Sequence, residues 1–366
     1  MVRFTSVFGP EEVNAVVIGG GPAGCAFALR CSALGLRAIL IETKRGPRVQ
    51  PGETLHPGVE PLFASLGVLE RILNAGFHRH RGVWVEWNGP RAFQSYGEDA
   101  GGPWLGFQAD RAKLDALLLD AAREAGVEIF QPCRADGLIY DDAGTIAGVE
   151  TTDGSIHARW VIDASGRHSW LAKQLGLEFE HHSPSLRVRF GWTSGRKNET
   201  DGEPSLQAHP QGWNWHAPLG VDRCAWVNLR IPSAYHAASA DGLADARQSA
   251  TGFEMGWRLL PECAAPGYFV LGEAAASLDP SSSHGVLRAL MSGMLASHFL
   301  SGVSRGLMVP AVAAASYRNW MLGQFIHDSI ALRKLWQRHP SAAVRRAMTE
   351  RSANQRVTEE HSLATR

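Results

Sequence analysis

Residues 13–24 read VNAVVIGGGPAG, an apolar, β-branched run that passes directly into glycines at Gly19, Gly21 and Gly24. A GxGxxG between a strand and a helix is the fingerprint of a dinucleotide-binding βαβ unit. Gly19 allows the tight turn, Gly21 lets backbone approach a pyrophosphate, and Gly24 lets the helix pack closely on its strand. With Pro22 and Ala23 they lead into a helix predicted over residues 25–34, whose first N–H groups can face an anion. A second apolar run, Ala38, Ile39, Leu40 and Ile41, ends on Glu42 and Thr43. A carboxylate there suits a ribose hydroxyl and repels the 2′-phosphate of NADP. The fingerprint alone does not separate NAD from FAD.

Around this unit the composition is that of an ordinary globular chain. Its 366 residues, 45% hydrophobic, allow one large or two interleaved domains. Thirty-six basic residues balance 36 acidic ones, so no net field draws in nucleic acid or an acidic membrane. Cys25, Cys31, Cys133, Cys224 and Cys263 are scattered, without a CxxC pair or Cys/His ligand spacing, and read as buried reduced thiols with no metal site. The sequence begins without a leader pattern and has no run of about 18 apolar residues, which reads as a cytoplasmic protein without a membrane partner.

Beyond the first unit, a Pro/Gly-rich loop (46–57) precedes a helix predicted over 59–75, carrying Leu62, Phe63, Leu66, Leu69, Ile72 and Leu73 at helical spacing. Residues 82–93 read as two short strands about a turn, 111–125 as an amphipathic helix ended by Gly126, and 127–130 as a strand. A hairpin around 141–144 and a strand over 158–162 follow, the latter running into Asp163-Ala164-Ser165-Gly166. From 186 to 257 the character changes to alternating, Trp-rich strands, read as a substrate sheet. The strand 268–272 restores α/β character, followed by a small-residue helix from 284 or 285 to about 300 and by helices to about 347. The polar stretch 350–366 is expected to fray. The domain reading is a nucleotide domain over 1–82, 100–182 and 262–300, a substrate domain over 83–99 and 183–261, and a C-terminal helical region over 301–366.

Three more segments carry chemistry. Gln108-Ala109-Asp110-Arg111, with Asp115 four residues on, places a cation at a helix opening, within reach of a pyrophosphate. In 163–166 (DASG), small residues let backbone pass close to a ligand. Residues 271–285, LGEAAASLDPSSSHG, combine an acid, Glu273, a turn at Asp279-Pro280 and a helix start. In this order, and over most of residues 11–300, the segments resemble the FAD-binding domain of the flavoprotein family that includes aromatic hydroxylases, geranylgeranyl reductases and flavin-dependent halogenases. The resemblance implies an α/β fold: an FAD-binding Rossmann-like domain of the aromatic hydroxylase type, interleaved with an antiparallel β-sheet substrate domain, with C-terminal helices.

It further implies that Glu42 holds the adenosine ribose, that Arg111 lies near the pyrophosphate and that Glu273 binds the ribityl or phosphate end. The backbone of Ser283, His284, Gly285 and Val286 would face the isoalloxazine, and Asp163, Gly166, Gly272, Asp279 and Pro280 would complete the site. The family usually has Asp after Gly272; this chain has Glu273. No second Gly-rich fingerprint is present, so electrons are expected from transient NADH or NADPH or from a partner reductase.

Residues 51–57 (PGETLHP) and 212–218 (GWNWHAP) look like the halogenase branch, with its PGES-type and WxWxxP segments. Halogenation in that branch uses a lysine soon after the helix that follows PGES. In the matching stretch, 75–80 (AGFHRH), His78 stands where lysine is expected, and Ser282 stands nearest to the companion acid of tryptophan halogenases. Both groups are missing, which favours direct oxygen transfer from a C4a-hydroperoxyflavin formed with O2.

Residues 279–293 (DPSSSHGVLRALMSG) also look like the flavoprotein maturases of tryptophylquinone enzymes, most of all those serving quinohemoprotein amine dehydrogenase. That likeness implies hydroxylation of a tryptophan in a protein or peptide substrate during cysteine tryptophylquinone biogenesis, a post-translational modification. The alternative is a hydroxylase or halogenase of a free small aromatic such as tryptophan; a reading from another class is a flavin-binding chaperone. His56, His216 and His284 are the candidates to orient or protonate the reacting groups. Trp192, Trp213, Trp215, Trp226 and Trp257 either line an aromatic-accepting pocket or pack the sheet.

Overall fold

The computed structural model describes residues 13–46, 50, 52–194, 202–220, 222–234 and 251–350. Expectations for the start of the chain and for the polar stretch after 350 lie outside the described residues, as do parts of the 46–57 loop and of the Trp-rich segment.

Short runs of fully apolar residues form the central sheet. Its strand order is Glu128–Phe130, Ala38–Ile41, Ala15–Ile18, Trp160–Asp163, Tyr268–Val270 and Ala264–Ala265. The first five run parallel and the last pairs antiparallel. Ala15–Ile18 and Ala38–Ile41 are buried along their whole length, which is why they read as unbroken hydrophobic runs. The helices are α1 (Pro22–Ala33), α2 (Val59–Ser65), α3 (Leu69–Leu73), α4 (Arg111–Glu124), α5 (Trp170–Leu175), α6 (Gly285–Ser304), α7 (Pro310–Gln337) and α8 (Ala342–Glu350). The single helix expected over 59–75 is therefore two. Gly67 takes φ +72° and its N–H donates to Ala64 O, which turns the chain out of α2 before α3 begins.

The Trp-rich segment forms most of a second sheet, ordered Thr251–Met255, Leu186–Ser194, Arg223–Arg230, Gly212–Pro218, Ser205–His209, Gly82–Glu86 and Ala92–Ser95. All its pairings are antiparallel except Ser205–His209 on Gly82–Glu86, which is parallel. A hairpin from early in the chain, ending at Ser95, thus completes a sheet whose other strands begin only at Leu186.

α6 lies against α1 and α7. It is long and apolar enough by composition to cross a membrane, with a mean hydropathy of 1.3 over its most apolar window, yet half of that window is buried inside the protein. Gly293 sets its approach to α1: a Cβ there would stand 2.4 Å from Ala23 O and 2.9 Å from Phe27 N, both backbone atoms of α1. Next to it, Ser292 Oγ accepts the Gly272 N–H at 3.0 Å and donates to Ala289 O at 2.8 Å. All five cysteines are buried and unbridged.

Gly293→Val should force the two helices apart and cost about 1–3 kcal/mol or more. Thermal melting followed by circular dichroism should show a drop of several degrees; an unchanged midpoint would mean that the helices are not held at this separation.

Candidate functional site

A cavity of about 940 Å³ lies between the two large sheets, near the top of the ~300–1,000 Å³ range of small-molecule sites. One end is built from the loops that follow the parallel strands: Gly19 after the first, Glu42 and Thr43 after the second, Gly166 after Asp163, and Gly272 and Glu273 after Val270. That is the carboxyl edge where open α/β sheets bind ligands. The other end is apolar, with Trp213, Trp215, Leu206, Val227 and Phe253 of the seven-stranded sheet facing it.

Gly19 adopts φ +108°, and a Cβ on it would stand 2.5 Å from Ala164 O. A Cβ on Gly24 would stand 2.0 Å from Gly19 O. Gly24 is accordingly a packing residue, while Gly21, Pro22 and Ala23 line the cavity. Glu42 is buried at the cavity wall; its Oε2 accepts the Gly20 N–H at 2.8 Å and its Oε1 accepts the Lys44 N–H at 2.9 Å. The carboxylate is thereby fixed at the end of its strand. An extended backbone at Gly21, an open helix start and a held acid make a cradle that fits the adenosine and pyrophosphate of FAD.

Other expected cofactor residues take different parts. Asp163 is fully buried behind the wall. Its Oδ1 and Oδ2 accept the N–H groups of Ser165 and Leu171, each at 2.8 Å, so it braces the 164–171 loop rather than facing a ligand. Arg111 does line the cavity, but its guanidinium is held by Glu53 Oε1 at 2.8 Å and by both oxygens of Asp115 at 3.2 and 3.3 Å. Glu273 projects across the mouth toward Arg167, 3.6 Å from its Nε.

Asp279, Pro280, Ser283, Gly285 and Val286 line the far end of this region, where α6 begins. Asp279 is fully buried: one oxygen accepts the Ser281 N–H at 2.9 Å, the other the Trp336 indole N–H at 2.8 Å. Burial pushes its carboxyl above the usual range against those hydrogen bonds. Ser283 holds a left-handed φ of +53°, the strained step that turns the chain into α6.

The three expected histidines do not form one cluster. His56 and His284 touch edge to face, with ring centroids 5.6 Å apart, and neither is among the residues that line the cavity. His216 lies elsewhere, on the Gly212–Pro218 strand, where alternation presents Trp213 and Trp215 to the cavity and His216 to the opposite face. Of the tryptophans, Trp213 and Trp215 line the cavity; Trp192, Trp226 and Trp257 do not. His284 Nδ1 donates to Asp328 Oδ1 at 3.2 Å. Burial alone would raise Asp328, but the His284 hydrogen bond and the Arg288 charge bring it below the ordinary carboxylate range.

His56 also meets Tyr96 (5.1 Å), which in turn meets His80 (5.4 Å). His80 is completely buried, with Nδ1 on Gly82 O at 3.1 Å, whereas His78 faces Gly202. His80, Tyr96, Asp328 and Trp336 went unnoticed in the sequence; the His-x-His of 78–80 was the one local signal among them.

Residues 12–205 match the FAD binding domain family, which is more than half of the chain, and the chain belongs to that family. It is a flavoprotein enzyme of oxidoreductase type. Tryptophan 2-halogenase of Chondromyces crocatus is 26% identical over 90% of this chain and 68% of its own length. The 1H-pyrrole-2-carbonyl-[peptidyl-carrier protein] chlorinase of Pseudomonas fluorescens is 24% identical over 78% of this chain and 75% of its own. Among solved structures, the flavin-dependent halogenase CmlS superposes with a TM-score of 0.82 at 21% identity, over 97% of this chain and 71% of its own. The fold is thus that of the flavin-dependent halogenases and hydroxylases.

Gly21→Glu places a carboxylate where the backbone must approach a pyrophosphate. Purified variant should retain no FAD while keeping its circular dichroism; yellow variant protein would refute the cradle. A second expectation concerns pH. Burial lowers His80 from 6.5 to about 4, so the fold prefers its neutral ring. Its contribution is intact above pH 6.5 and is lost as pH falls toward 4, about 3 kcal/mol at most. Urea melts of His80→Gln should show a flatter fall over that window; the residual slope belongs to groups such as His209, also lowered to about 4 by burial.

Proposed function

We propose that this chain catalyses FAD-dependent oxygenation of a free, electron-rich aromatic ring of indole or pyrrole size, held in the apolar end of the cavity. The observation that carries this reading is the continuity of the cavity, in which the cradle at Gly19 and Glu42 and the wall of Trp213 and Trp215 enclose one space. The named substrates of two relatives, tryptophan and a carrier-bound pyrrole, support a ring of that class. FAD, once reduced by NADH, NADPH or a partner reductase, supplies the activation of dioxygen.

The chain's own residues supply positioning and, in His56 outside the cavity lining, a histidine that holds its proton on one ring nitrogen. Trp215 offers a face for an aromatic ring, backed by the buried Trp213, and the apolar lining excludes water. His56 Nδ1 accepts the Gly58 N–H at 3.0 Å, which leaves the ring proton of neutral His56 on Nε2. Burial lowers the His56 pKa, with the His284 charge acting in the same direction, so the neutral, proton-bearing ring prevails near neutral pH. The stretch 75–80 contains no lysine, which supports oxygen transfer over halogen transfer. A second reading, hydroxylation of a tryptophan within a polypeptide during tryptophylquinone biogenesis, is favoured by the likeness of residues 279–293.

Mass spectrometry decides among these. The enzyme with FAD, NADH and ¹⁸O₂, in chloride and bromide buffers, is offered free tryptophan, pyrrole-2-carboxylate and a tryptophan-containing polypeptide. One labelled oxygen on a free aromatic is the expected result. A halogen isotope pattern would replace oxygenation by halogenation, label confined to the polypeptide would favour the second reading, and unmodified substrates throughout would end the proposal. In the productive assay, Trp215→Ala should raise KM for the aromatic about tenfold, equivalent to ~1.4 kcal/mol of lost ring contact.

A further inference from the structure

Arg288, in the first turn of α6, lines the cavity with only 5% of its surface exposed. Among the described residues its Nε and Nη1 have no hydrogen-bond partner, and its Nη2 stands 3.7 Å from Asp328 Oδ2, beyond hydrogen-bond reach. Asp328 gives its other oxygen to His284. Ser281 Oγ, on the same cavity wall, is likewise buried without a partner. A guanidinium retained only for packing would be better replaced by an apolar side chain, because buried, unfilled donors on a charged group are strongly unfavourable. Asp328 at this distance, with the charge of Glu273 acting in the same direction, compensates its charge but leaves its directional donors unused.

We propose that Arg288 is an anion site of the cavity, filled by a delocalised monoanion that presents paired oxygen or nitrogen acceptors. Two bound molecules can offer that chemistry: a carboxylate on the aromatic substrate, or the anionic pyrimidine edge of the reduced flavin. Both would meet Arg288 where α6 begins, beside Gly285 and Val286, and Asp328 would set how much positive charge the site presents. The substrate branch rests on the proposed aromatic substrate; the flavin branch requires only FAD.

The test uses FAD-loaded protein and three variants, Arg288→Met, Arg288→Gln and Asp328→Asn. Binding of benzoate, with benzamide as the uncharged probe, is read from the flavin absorbance, and the midpoint potential is read by anaerobic dye titration. If the site serves a carboxylate, both Arg288 variants weaken benzoate by about tenfold or more and leave benzamide unchanged, while Asp328→Asn tightens benzoate. If it serves the flavin, both Arg288 variants lower the midpoint potential and Asp328→Asn raises it. A structural ion pair would instead lower the melting temperature in all three variants and move neither readout.

Benzoate affinity and potential both unchanged, in variants that hold FAD as the parent does, overturn the proposal. Should Arg288→Met fail to fold, Arg288→Gln, which keeps polarity without charge, carries the same comparison. Loss of benzoate binding alongside unmodified aromatics in the mass spectrometry would separate this site from the proposed reaction.

Discussion

The close approach of backbone at the turn after the first strand is the constraint on which the rest of the molecule depends. A side chain at Gly19 or Gly24 would collide with main-chain oxygens 2.5 and 2.0 Å away. With hydrogen there instead, α1 can start directly above the central sheet and the 164–171 loop can close over the turn, where Asp163 pins it by two backbone hydrogen bonds. The same economy of volume recurs at Gly293, where α6 rests on the backbone of α1. The first turns of both helices are thereby brought to one cavity, and a ligand lying along it can meet both.

The opposite wall comes from strands that are strangers in sequence. Gly82–Glu86 joins Ser205–His209 in the only parallel pairing of the seven-stranded sheet, and alternation along Gly212–Pro218 then decides that Trp213 and Trp215 face inward. α7 ties this wall to the nucleotide half. Trp336 donates to Asp279, Trp87 donates to Leu335 O at 2.8 Å, and His339 meets Gly212 O at 2.9 Å. A region that reads in sequence as a separate C-terminal helical region thus supplies both Asp328 and the clamp on the start of α6.

Charge in the site is balanced locally rather than by bulk. Arg111 is neutralised by Glu53 and Asp115 in contact, and Arg288 is answered at a distance by Asp328 and by the charge of Glu273. The contrast separates a cation that shapes the wall from one that is ready to act. It also explains why Arg111, which lines the cavity, has its donors largely occupied within the protein.

The sequence by itself determined the βαβ unit, the acid at Glu42, the nucleotide class of the cavity and the change to a β-rich stretch over 186–257. These are local matters: a turn that admits only glycine, an apolar run, an alternation of side chains. Tertiary structure alone decided that His216 turns away from the cavity, that Asp163 is a brace, and that Arg288, Asp328, His80 and Tyr96 belong to the neighbourhood of the site. Those outcomes depend on which strands pair and on which face α7 lays against α6. Such choices are set by packing between segments from a few to more than a hundred residues apart, and hydrophobic periodicity carries no signal for them.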